Sequence, residues 1–103
     1  MSRFATLAAA AAASLTLLAP LAVAAQPGGY VAVPSAQPTR TSFIARSTPF
    51  SLRDGAFVAP ASPERAKIMC ELVVKEVGKL NSFTADGAAL APADLDKCNA
   101  RAR

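Results

Sequence analysis

The chain has 103 residues and a net charge of +4, with two cysteines, no histidine and no tryptophan. A length this small allows one compact domain at most, and so mild a basic excess is not the footprint of a nucleic-acid binder. Without histidine the commonest general base and the commonest metal ligand are missing, and no spacing of other residues replaces them. A non-catalytic protein with no cofactor is expected.

Met1-Ser2-Arg3 supplies a short positive start, and Phe4 to Ala19 is uncharged and rich in Ala and Leu. Pro20 breaks that run, and Leu21-Ala22-Val23-Ala24-Ala25 follows with small residues. A positive start, an apolar middle and a small-residue exit make a secretory signal peptide over residues 1–25. Cleavage after Ala24 and cleavage after Ala25 both fit. The apolar run falls short of the ~20 residues a membrane helix needs, and nothing downstream is longer. The expected product is a periplasmic or secreted monomer of about 78 residues, without a membrane span.

Cys70 and Cys98 both lie in that product. An even cysteine count in a small exported chain reads as a disulfide. Closing a loop of 28 residues should contribute about 3.5 kcal/mol in the chain-entropy model. That is a large share of the stability of so small a domain.

Residues 26–40 are rich in Pro, Gly, Ser, Gln and Ala without a period, so an extended or disordered tether is expected, with room for a short strand at Tyr30–Val33. The domain is then expected over residues 41–103. Thr41 to Arg46 carries β-formers, Pro49 interrupts, and Phe50 to Arg53 alternates. Asp54-Gly55 is a hairpin turn signal, and Ala56 to Ala59 resumes the strand character. This predicts a hairpin with Phe50 and Leu52 on one face.

Ser62-Pro63-Glu64 predicts a helix start, with Ser as cap and Pro at the first helical position. The helix should reach Val77, where Gly78 ends it. Ala66, Met69, Cys70, Val73 and Val77 form its apolar stripe. Ile68 and Leu72 lie off that stripe, one turn apart, so either the helix is covered on two sides or they form a small patch for a protein partner. Leu80 to Thr84, the turn Asp86-Gly87 and Ala88 to Leu90 predict a second hairpin. Pro92 opens a last helix to Ala100, on which Leu95, Cys98 and Ala102 share a face. Both cysteines then sit on apolar stripes, and a bridge between them would clamp the two helices through the core. The fold class expected is α+β: two hairpins and two helices with a disulfide staple.

Asp94-Leu95-Asp96 lacks the further ligands and the glycine of a calcium loop, so Asp94 is read as complementing a helix N-terminus. The cysteines lack the Cys-x-x-Cys spacing of a redox pair. The two Asp-Gly turns could be tips presented to an enzyme, which makes an inhibitor the alternative to a binding or structural module.

The run Cys70-Glu71-Leu72, Lys75-Glu76-Val77-Gly78, Ser82-Phe83-Thr84-Ala85-Asp86-Gly87 and Asp94-Leu95-Asp96-Lys97-Cys98-Asn99 resembles a family of short, uncharacterised exported proteins of alphaproteobacteria. The resemblance extends from Phe43 to the end. It implies a compact disulfide-linked domain in the cell envelope and brings no activity. Members of that family carry a second cysteine pair in the upstream hairpin, near a Trp. Here Phe50 stands at the Trp position, and Leu52 and Phe57 stand at the cysteines. That departure implies a staple replaced by apolar packing.

Overall fold

The computed structural model describes residues 28–103. The segment expected as a signal peptide, with the expected cleavage sites at Ala24 and Ala25, lies outside the described residues. Six strands and two helices follow in the order β1 (Tyr30–Pro34), β2 (Ser42–Ala45), β3 (Thr48–Arg53), β4 (Ala56–Ala59), α1 (Ala66–Val77), β5 (Leu80–Ala85), β6 (Ala88–Ala89) and α2 (Pro92–Asn99). All pairings are antiparallel, and the sheet order is β2-β3-β4-β1-β5-β6. This is an α+β fold.

Three two-residue turns shape the sheet. Asp54-Gly55 and Asp86-Gly87 adopt the left-handed φ values that such hairpins need, +52° and +86° in the first and +51° and +80° in the second. A third turn, Arg46-Ser47, does the same at +45° and +67° without a glycine, and it joins β2 to β3. Pro49, expected to interrupt, sits inside β3 opposite Ile44. The turn makes Ala45 and Thr48 the hydrogen-bonded pair, so Pro49 falls at the next, non-bonded pair and its missing N–H withholds nothing from β2. On its other side β3 pairs with β4 only from Ser51 onward.

The segment expected as a tether behaves differently. Tyr30–Pro34 is the strand between β4 and β5, so the folded unit begins well before residue 41. Tyr30 and Ala32 are buried toward the helices, while Val31 and Val33 face the other way. Proline and glycine around this stretch masked a five-residue alternation that both neighbouring strands satisfy.

The core lies between one sheet face and the two helices. Tyr30, Phe43, Phe50, Phe57 and Phe83 form its aromatic part, with Phe43 and Phe50 stacked at 4.8 Å and Phe43 meeting Phe57 edge-on at 5.1 Å. From α1 come Met69, Cys70, Val73 and Val74, all fully buried. The stripe is thus rotated slightly toward Val74, and Ala66 and Val77 are half-buried at its margins. Cys70 and Cys98 form the expected disulfide, with a Cα separation of 6.0 Å, and clamp α1 to α2. A disulfide of this kind accords with an oxidising, extracytoplasmic compartment. Among the described residues no helix is long and apolar enough to cross a membrane.

Leu52 and Phe57 are direct cross-strand partners on β3 and β4. Phe57 is fully buried beside Phe43, and Leu52 packs partly buried against the same cluster. The two positions that the resemblance assigns to a cysteine pair are therefore neighbours in space, filled here by apolar side chains.

Candidate functional site

Helix α1 starts later than its sequence signals. Arg65 occupies the N-cap position and makes no side-chain cap, three residues beyond the expected cap at Ser62. The reason is Tyr30. Its hydroxyl lies 2.9 Å from Ser62 Oγ and can donate to the carbonyls of Glu64 at 3.0 Å and Ser62 at 3.2 Å. Ser62 Oγ also accepts the Glu64 N–H at 3.3 Å, which makes a local turn in place of a helical one. Residues 60–64 therefore run as a loop along the end of the sheet, and Glu64 pairs with Arg46 of the β2–β3 turn at 3.0 Å. A shallow groove of about 420 Å³ lies between that turn and the loop, lined by Pro49, Pro60, Ala61 and the ion pair.

The start of α1 is exposed on one side, at Lys67 and Ile68, and buried on the other, at Met69 and Cys70. Ile68 is 37 % exposed and lies in a second groove, of about 480 Å³, with Arg65, Ala66, Lys67, Glu71 and Leu90. Leu90 is brought there by the hairpin ladder: its N–H bonds the Phe83 carbonyl at 2.8 Å, the next pair in register beyond Thr84 and Ala89. Lys67 pairs with Asp94 in the first turn of α2 at 3.5 Å, which ties the rim of the groove to that helix.

Leu72, placed beside Ile68 by the sequence, is half-buried and packs against the core. The structure therefore separates the two: Ile68 faces the groove with Leu90, and Leu72 does not line it. Arg65 and Leu90 were not singled out as site residues from the sequence. Leu90 reads as the end of a strand, and its half-buried side chain packs against the core while lining the groove.

Cys70 and Cys98 are 0 % and 2 % exposed, which makes the bridge a structural element sealed from solvent. Beside it, Asn99 does the work of a strand. Its amide oxygen accepts the Leu80 N–H at 2.8 Å, and its amide nitrogen donates to the Leu80 carbonyl at 2.9 Å. The adjacent pair Cys98-Asn99 thus ties α2 to α1 by one residue and to β5 by the next. Asp54 is exposed at its turn, whereas the Asp86 carboxylate is held by the Gly28 N–H at 2.8 Å.

Among the curated proteins and among the solved structures, nothing matches this chain. DUF8200, a family of unknown function, matches it over residues 3–100, and the protein belongs to that family.

Proposed function

We propose that this protein is an exported, non-catalytic binding module of the cell envelope, docking a protein partner through the Ile68 groove. The observation that carries the reading is Ile68 itself. A large apolar side chain stands in a concavity beside Leu90, on a helix whose other face is locked into the core and bridged to its neighbour. A platform so fixed loses little conformational freedom on binding. Arg65 and Lys67 at the rim suit a partner that brings an apolar side chain next to a carboxylate.

Export and docking are tested together in the native envelope. N-terminal sequencing of the product should begin at Ala25 or Gln26, and a product still starting at Met1 removes the exported reading. A photo-crosslinking residue at position 68 should capture one discrete partner, and the same residue at position 44 should not. Arg65→Glu should weaken the capture. Equal capture from both positions, or none from position 68, removes the docking reading. Ile44 is the fit control because it is 67 % exposed on β2.

One observation favours a second reading. The Asp54-Gly55 tip is exposed, with Asp54 at φ +52°, which suits a small inhibitor inserting a hairpin into an envelope enzyme. Inhibition of an envelope hydrolase by the mature protein, lost in Asp54→Ala, would replace the first reading.

A further inference from the structure

The first strand among the described residues lies in the middle of the sheet, and no covalent tie but the chain itself holds it there. β1 is bonded to β4 on one side and β5 on the other, and those two strands do not pair with each other. The disulfide joins α1 to α2 and leaves β1 outside its loop. Residues 35–41 alone connect β1 to β2, at the far edge of the sheet. The crossing is three strand spacings, or ~14 Å, whereas seven extended residues reach ~23 Å. The strap therefore has slack. All of it but Pro38 is exposed, and it arches over Leu52 and Gly55 with a gap of about 420 Å³ beneath. Its attachments are at its ends: Ser35 N–H and Oγ on the Lys79 carbonyl, the Thr41 carbonyl on Leu52 N–H, and an exposed Arg40–Glu76 pair at 2.9 Å.

The slot, by contrast, is made for this strand. The Tyr30 ring lies 6.0 Å from that of Phe50 and 5.8 Å from that of Phe83, with its hydroxyl on the 62–64 loop. Ala32 is completely buried, so a larger side chain there would meet the core. At Gly28 an added Cβ would stand 3.0 Å from the Ala61 Cβ. A strand must therefore offer Gly, Tyr and Ala at successive second positions, and a second copy of this chain offers that pattern.

We propose that β1 exchanges between copies, the strand of one chain filling the slot of another. The exchanged dimer keeps every β1 contact, and only the strap changes its path. The exchange goes beyond the monomer expected from sequence and is independent of the Ile68 groove, which lies on the helical side.

The test uses Val31 and Val58, Cα partners on the sheet face away from the helices. Val31→Cys and Val58→Cys chains are mixed, taken to the midpoint of urea unfolding, returned to buffer and oxidised mildly. Exchange should give a dimer of twice the monomer mass on a non-reducing gel, whose peptide map joins positions 31 and 58 of different chains. The doubly substituted chain, alone and dilute, should close the same bridge internally. Exchange is ruled out if no interchain 31–58 link forms while that internal bridge closes. It is equally ruled out if Val31→Cys links as often to an Ile44→Cys chain, since that signals collision only.

Discussion

Tyr30 and Asn99 carry more of the structure than their neighbours because each satisfies backbone groups that would otherwise be buried without partners. Tyr30→Phe keeps the ring and removes the hydroxyl from the Ser62 and Glu64 oxygens. The loss should cost about 1–2 kcal/mol, a fall in melting temperature of roughly 5–10 °C. Asn99→Asp removes the donor to the Leu80 carbonyl and sets a carboxylate against it. It should cost about 1–3 kcal/mol, and a melt matching the parent's would show that water replaces the amide. On α1 the contrast is between neighbours. Val73→Asp buries a lone carboxylate at a fully enclosed position and should prevent accumulation of folded protein. Leu72→Asp, at a half-buried one, should leave a folded chain with a lower melt. If Leu72→Asp proves the more damaging, the packing of α1 is misread.

At the scale of elements, what was legible in the sequence followed from local signals. Asp54-Gly55 and Asp86-Gly87 announce their hairpins because few residues adopt positive φ. Gly78 ends α1 for the same reason, at φ +87°. The start of α1 was illegible, because the atom that unwinds it belongs to Tyr30, 32 residues before Ser62. β1 was half-legible. Its alternation is in the sequence, but its central place depends on β4 and β5, which are far along the chain. The Ile68 groove was legible only in Ile68, since Leu90 owes its place to a bond with Phe83. The pairing of Leu52 with Phe57 suggests an element-level test. Leu52→Cys with Phe57→Cys should oxidise to a second bridge, seen as a mass loss of two hydrogens per chain. Removing the buried phenyl should leave a cavity costing about 3–5 kcal/mol. Adding Phe50→Trp to that background should recover part of the melting temperature, and no recovery would mean that position 50 does not compensate for position 57.

Over the whole molecule, the staple and the sheet divide the labour. The bridge joins residues 28 apart and ties the two helices that cover the core. With both sulfurs sealed from solvent, a mild reductant should leave the native protein intact and act only as fast as the chain unfolds. Thiol release should therefore accelerate with urea, and rapid release without urea would show local opening of α2. The reduced chain should be less stable by about 3.5 kcal/mol. The position of β1 has a consequence in time. Tyr30 is registered against Ala85, so the sheet cannot close until 55 further residues are present. A chain synthesised from its N-terminus can pair β1 with β4 once residue 59 is present, but the other edge of β1 waits for β5. Pairing over such sequence distances is slow. The topology therefore leaves one edge of β1 open until late in the chain, and it turns late closure of the sheet into a property of strand order.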